Sequence, residues 1–472
     1  MSRRRAAAAV FAAALAVFLV SPVRQVSDSY YSLLVAEQLV TRGTLDLAEH
    51  FHGELPPERF PGNRRDGLPY HVKRYGERIL YEFPLGAPLL ATPWMAVAHA
   101  LDLGVVGADG RYDRDRERRH QRLLAALLAA LLVAGAFAAA DRLLPRRAAL
   151  ATIAALALAT PVWSTASRAL WSHTAELALL GLALPLVAAR ARGAATGGLR
   201  LGLLAAGAYV CRPTAALVIL LVAFWLARAE RRAAARFALG AGAVLAAFVA
   251  LSWAVWESWL PPYYLAARLA VPPAEAIAGV LVSPGRGLFV YEPALAVALA
   301  FGAARWRSLA ERPLFTLGAS GLAVHAAVVA SFPHWWGGHG YGPRLFTETV
   351  FFQALIAASV AATLVREGPR AGAWRRALAA LAVLGAVIHG AGALSNQSNR
   401  WNWSPREVDL HPERLWDWRD PQLLAWANRE PRRSATIEEP AEAAAPSEPE
   451  TPRERRQRRR AKRNAGAQQP PP

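Results

Sequence analysis

Long apolar runs separated by short arginine clusters constrain this chain more than any other feature. They cover Ala6–Val23, Leu123–Ala140, Ala148–Trp163, Ala175–Ala189, Leu201–Cys211, Thr214–Ala227, Phe237–Trp256, Pro293–Ala304, Leu314–Ala330, Phe346–Val365 and Ala377–Leu394. Only helices or closed barrels satisfy the backbone in lipid, and these Ala/Leu/Val-rich runs lack the period-two alternation of a barrel strand. The expectation is an all-α, polytopic integral membrane protein with about eleven transmembrane helices. Leu201–Cys211 and Thr214–Ala227 are short and read as a broken or tilted pair.

Charge sets the orientation. Arg3, Arg4 and Arg5 precede the first run and place the amino terminus in the cytoplasm. Ser21–Gln25 carries no small-residue cleavage site, so this run reads as an uncleaved span. Counting onward, the clusters Arg142/Arg146/Arg147, Arg190/Arg192/Arg200, Arg228/Arg231/Arg232/Arg236, Arg305/Arg307/Arg312 and Arg366/Arg370/Arg375/Arg376 all fall inside. The outer loops carry mostly single arginines, Arg168, Arg212, Arg268, Arg286 and Arg344, with the mixed stretch Arg111–Arg122 as the exception. This pattern requires the proline-broken run Phe83–Leu103 to lie at the interface rather than span. A multi-pass protein of the cell (inner) membrane is expected, with its polar loops on the outer, periplasmic face. The net charge of +19 is then largely a matter of topology, and no nucleic-acid partner is expected. Cys211 is the single cysteine, which excludes an intrachain disulfide and a cysteine metal cluster.

Three regions follow. Residues 1–395 form the transmembrane domain, with a long outer loop over 24–121 carrying juxtamembrane helices. Residues 396–429 form a Trp-rich outer cap, and 430–472 a disordered Pro/Glu/Arg-rich tail. Within the long loop, the stretch from Tyr30 to Leu39 has the spacing of a short amphipathic helix lying on the membrane surface.

Four polar motifs collect on the outer side. The first opens the long loop, where Asp28 emerges beside Tyr30 and Tyr31. A carboxylate there can accept a proton from a substrate whose lipid half stays in the membrane; it can equally cap a helix over Tyr30–Val40. Asp46, Glu49, His50, His52, Glu54, Asp66, His71 and Glu82 share this loop, the first, second, third and fourth as lesser candidates. The second motif is Ser167–Glu176, with Arg168, Trp171, His173 and Glu176. The third runs from Pro261 through Arg286 to Pro293. The fourth is His334–Arg344, with Trp336, Gly338, His339, Tyr341 and Arg344. Its glycine amides and the Arg344 guanidinium suit a phosphate. Arg168 and Arg344 also fit as snorkelling residues at helix ends. His173, His334 and His339 with Glu176 match no standard metal-ligand spacing, so no cofactor is required, though a divalent cation has potential ligands here. The cytoplasmic loops hold nothing comparable, and this one-sidedness is the informative fact.

The chain resembles the GT-C superfamily of membrane glycosyltransferases, which includes protein O-mannosyltransferases and the aminoarabinose transferase of lipid A. The resemblance lies in a first span followed by Asp28, in Tyr81–Leu90, in Arg146–Ala151 with Thr160–Pro161 and Ser167–Arg168, in Arg212–Pro213 and in Trp335–Arg344. It covers roughly residues 1 to 395 and implies a polyprenyl-phosphate sugar donor, bound in the membrane and open to the outer side. The family's first-loop acid maps to Asp28 as general base or acceptor-orienting group, and Tyr30, Tyr31, Arg168, His173, Glu176, Arg286, Trp336, Gly338, His339, Tyr341 and Arg344 are the substrate- or phosphate-binding candidates. Where many members carry a second outer acid, this chain has His173, with Glu176 beyond it. The acceptor would be an envelope lipid, glycan or protein. A transporter or flippase of a lipid-linked glycan is the alternative, but it should carry ionisable residues at mid-membrane depth, whereas these span interiors are nearly pure Ala, Leu, Val and Gly; a non-enzymatic envelope scaffold, the third, leaves the four polar motifs unexplained.

Overall fold

The computed structural model describes residues 2–51, 64–65, 67–194, 197–265 and 269–427. His52, Glu54, Asp66, Arg268 and the tail from 430 lie outside them. The described chain is mainly helical: α1 (Arg3–Val20), α2 (Ser32–Arg42), α3 (Gly86–Ala100), α4 (Arg114–Leu143), α5 (Arg146–Leu158), α6 (Ser172–Ala191), α7 (Gly198–Cys211), α8 (Ala216–Ala229), α9 (Arg231–Trp256), α10 (Ala274–Val282), α11 (Leu288–Tyr291), α12 (Pro293–Ala304), α13 (Arg312–Ala330), α14 (Val350–Glu367), α15 (Gly372–Leu394) and α16 (Asn396–Arg400).

Five helical stretches are long and apolar enough to cross a membrane: α4, α6, α9, α13 and the stretch Arg344–Leu394. The last contains α14 and α15, separated at Gly368, which takes φ 58°. The helices α7, α8 and α12 are apolar but shorter, and at 1.5 Å per residue each spans only about 20 Å. The expected break between α7 and α8 falls at Arg212, whose extended backbone precedes Pro213.

Packing runs from α1 to α4, α6, α7 and α9, with α13 on α14 and α12 on α15. Small residues permit the closest approaches. A Cβ on Gly135 of α4 would lie 2.1 Å from the Gly181 carbonyl of α6, and one on Gly202 of α7 equally close to the Phe237 carbonyl of α9.

Helix ends sort into two groups. At one, Asp141 binds Arg3 and Arg146 at 3.4 and 3.0 Å, Arg190 binds Glu230 at 2.7 Å, Arg192 binds Glu311 and Arg305 binds Glu367. These are the arginine clusters of the sequence. At the other, the long loop, the loop before α6, the segment after α13 and the cap come together.

Three local expectations change. The Ser32–Gln38 stretch of α2 is buried on every side rather than lying on a surface, because Glu37 turns inward and accepts from the Val105 and Val106 amides and from His99. Arg114–Arg122 is not loop but the first turns of α4, where buried Glu117 accepts from the Tyr31 and Leu33 amides at 3.0 Å. The long loop also holds strands. β1 (Arg64–Arg65) pairs with β2 (Leu68–Pro69), and β3 (Val72–Tyr75) with β4 (Arg78–Tyr81), both antiparallel.

Candidate functional site

Asp28 sits at the centre of the polar end. The β2–β3 corner brings Tyr70 and His71 against it: the Tyr70 hydroxyl donates to Asp28 Oδ1 at 2.9 Å, and Tyr81 on β4 donates to the Asp28 carbonyl at 3.0 Å. From the far side of the sequence, Arg344 donates to Asp28 Oδ2 at 3.0 Å. Burial raises the Asp28 carboxyl, but Arg344, Tyr70 and His71 outweigh it and hold it below the usual carboxylate range. Asp28 is therefore ionised at neutral pH. Burial and the neighbouring Asp28 charge push the Tyr70 hydroxyl up, so it remains a donor.

His71 is buried and lowered to about 4, chiefly by desolvation. Its Nε2 lies 2.9 Å from the Ser27 carbonyl, which can only accept, so the neutral ring carries its proton there. Nδ1 has no partner among the described residues, and a second proton would be stranded.

The Asp28–Arg344 pair separates two cavities that both residues line. Inward lies a pocket of about 90 Å³ bounded by Trp171, His173, Arg212 and Tyr263. Outward lies a cleft of about 700 Å³ bounded by Arg24, Tyr30, His71, His339, Glu407 and Asp409. The Arg344 guanidinium lies 4.6 Å from the Trp171 ring, and its Nε makes no hydrogen bond among the described residues. In the inner pocket both ring nitrogens of buried His173 are unpartnered. Arg212 is held there by Glu348 and by Ser172, 2.8 Å away.

Sequence motifs that looked alike take different places. Asp28, Tyr30, His173, His339, Gly338 and Arg344 line the cavities. Arg168 does not: it is fully buried and donates to the Phe18 and Ser21 carbonyls, closing the carboxyl end of α1. Arg286 also has its donors engaged, by the Trp336, Gly338 and Gly285 carbonyls, Gln422 and Asn402. Burial lowers it to about 10, leaving it charged at neutral pH. Tyr31 packs into the core against Phe51 and Tyr112, and the Tyr341 hydroxyl donates to the Ile388 carbonyl. Glu176 is buried and does not line the inner pocket, and its Oε2 is unpartnered among the described residues. Trp336 donates to Asp409 at 2.6 Å.

Part of the expected amide cradle is taken up internally. Gly337, Gly338 and Gly342 all adopt positive φ, which turns the loop tightly. The Gly337, Gly340 and Gly342 amides donate to His334, Gly338 and Gln422 within the fold. What the loop presents to the cleft is the Gly338 backbone and the side chains of His339 and Arg344. The metal grouping of His173, His334, His339 and Glu176 does not assemble: His334 packs against Trp336 with the rings tilted by 54°, and His339 faces Glu407 and Asp409. Asp46, Glu49 and His50 brace α2 and β4 and stay out of the cleft.

Sequence reasoning passed over Tyr70, Glu348, Glu407 and Asp409. Tyr70 lacked any motif, and the two cap acids stood among tryptophans that suggested only an interface. No family model matches the chain, and no curated protein or solved structure does either.

Proposed function

We propose that this protein is a membrane glycosyltransferase, moving a sugar from a polyprenyl-phosphate donor to an envelope lipid, glycan or protein acceptor on the outer face. The observation that carries this reading is the Asp28–Arg344 pair, a carboxylate and a guanidinium held together where both line two cavities at one end of an apolar bundle. In the reaction, an acceptor hydroxyl attacks the anomeric carbon while the bond to the phosphate oxygen breaks. The electron pair leaves on the polyprenyl phosphate, and the acceptor proton passes to Asp28. Arg344 answers the charge gathering on the departing phosphate. The two roles support each other. A donor phosphate competes for Arg344, and as the guanidinium turns to it the Asp28 carboxylate loses its strongest counter-charge and becomes more basic.

An apolar cavity of about 490 Å³ between α5, α12, α14 and α15, walled by Ala154, Leu295, Ile356 and Ala382, supports a lipid-linked substrate. The eleven-span topology with an internal amino terminus belongs to this proposal, because it sets the cleft opposite the arginine clusters.

The test is transfer from radiolabelled polyprenyl-phosphate sugars in membranes, with wild type, Asp28→Asn and Arg344→Gln compared at equal folded protein. Each variant is expected to lose at least about a hundredfold. Undiminished transfer by Asp28→Asn overturns the base assignment. If wild type transfers nothing from any donor, the enzyme reading falls, and lipid-glycan translocation in proteoliposomes becomes the experiment.

A further inference from the structure

The outer cleft has a second chemical feature, at the edge away from Asp28. His339 comes from the glycine-rich loop, and Glu407 and Asp409 from the cap, about 70 residues later in the chain. Their donor atoms all lie within 4.8 Å of one another, and this is the one cluster of three or more such side chains among the described residues. The intervening Val408 is fully buried, and the two acids, carried on a turn that the His411 amide closes onto the Glu407 carbonyl, both line the cleft.

Ion pairing alone accounts poorly for this arrangement. His339 Nε2 lies 3.1 Å from Glu407 and 3.5 Å from Asp409, yet neither oxygen lies along the ring N–H direction, and Nε2 makes no hydrogen bond among the described residues. A single N–H can serve only one of two carboxylates. No arginine among the described residues pairs with either acid, although Arg24 and Arg344 line the same cleft. Ligands around one ion behave differently. Atoms about 2.1 Å from a metal at tetrahedral or octahedral angles lie about 3.0–3.5 Å apart, off one another's bonding axes.

The supporting contacts fit ligands held in place. Trp336 donates to the outer oxygen of Asp409, Oδ1, leaving Oδ2 for the cluster. The His339 ring stacks on Trp403 with centroids 3.5 Å apart, and its neighbour Gly338 is fixed through its carbonyl by Arg286. Such second contacts orient ligands in known metal sites.

We propose that His339, Glu407 and Asp409 bind a divalent cation of the Mn²⁺ or Zn²⁺ type at the rim of the outer cleft. One imidazole and two carboxylates suit these ions. Three protein ligands leave coordination positions for an oxygen anion entering the cleft. That this anion is the donor's phosphate rests on the transferase reading; the cation site does not.

The test is calorimetric titration of the EDTA-stripped full-length protein in detergent with Mn²⁺, Zn²⁺ and Mg²⁺, without donor or acceptor. One equivalent of Mn²⁺ or Zn²⁺ should bind. Glu407→Gln and Asp409→Asn should each weaken binding at least tenfold, and Trp336→Phe, which spares all three ligands, by about 10–100-fold. Should the ligand variants fail to fold, the Trp336→Phe result decides. No stoichiometric binding, or binding that these changes leave untouched, overturns the proposal. A silent transfer assay would leave a positive titration standing.

Discussion

The two ends of the bundle use the same residue type in opposite ways. At the amino-terminal end of α1, arginines are numerous and mostly exposed, and their partners are a few acids such as Asp141 and Glu367. At the cleft end several arginines are taken into the fold, and Arg168 and Arg286 are entirely enclosed with their donors on backbone carbonyls and amides. An arginine in water holds topology by its charge alone and contributes little to stability. An enclosed one must have its donors satisfied, so it dictates the shape of the loops around it. Arg344 is intermediate: one donor on Asp28, one face on Trp171, and an unpartnered Nε beside a cavity. Incomplete satisfaction is what distinguishes a residue poised to bind from one that only builds.

The comparison breaks most visibly at Arg286. Arg286→Ala strands the carbonyls of Trp336 and Gly338 and the side chains of Gln422 and Asn402, and should lower unfolding free energy by about 3–5 kcal/mol. Denaturant unfolding in detergent measures it; a change under about 0.5 kcal/mol would mean the cap does not depend on this residue.

A next, smaller effect comes from pH. With its folded value near 4 against about 6.5 unfolded, His71 takes up a proton first in the unfolded state. Stability should therefore fall by about 3 kcal/mol as pH drops from about 6.5 to 4, and be fully present above that window. Asp28, held below its usual range, stays ionised through most of it. Unfolding curves for His71→Gln should be flatter over these pH values than wild type; parallel curves would assign the sensitivity elsewhere.

The smallest effect belongs to the basic end. Arg305→Gln removes a 3.0 Å pair with Glu367 in which the arginine is about a third exposed, and should change stability by about 0–1 kcal/mol. A loss comparable to that of Arg286→Ala would erase the distinction between the two ends.

Much of the helical plan was legible because apolar runs and proline breaks act locally. The interruption at Arg212–Pro213 follows the written pattern. Which polar residues would meet was not legible. Ser167–Arg168 and Tyr341–Arg344 read as equivalent candidates, and the structure enclosed Arg168 and Tyr341 while leaving Arg344 at a cavity wall. Tyr70 had no signal at all, since its role depends on a hairpin corner meeting a residue 42 positions earlier.

By itself the sequence determined that this chain builds apolar helices and gathers its arginine clusters at one end and its polar motifs at the other, because hydrophobicity and charge act over a few residues at a time. Tertiary structure alone decided that Asp28 faces Arg344 across 316 positions and that His339 faces two acids of the cap. Those contacts are made between segments with no shared period or spacing. Burial then settles which groups have every bond satisfied and which keep one open.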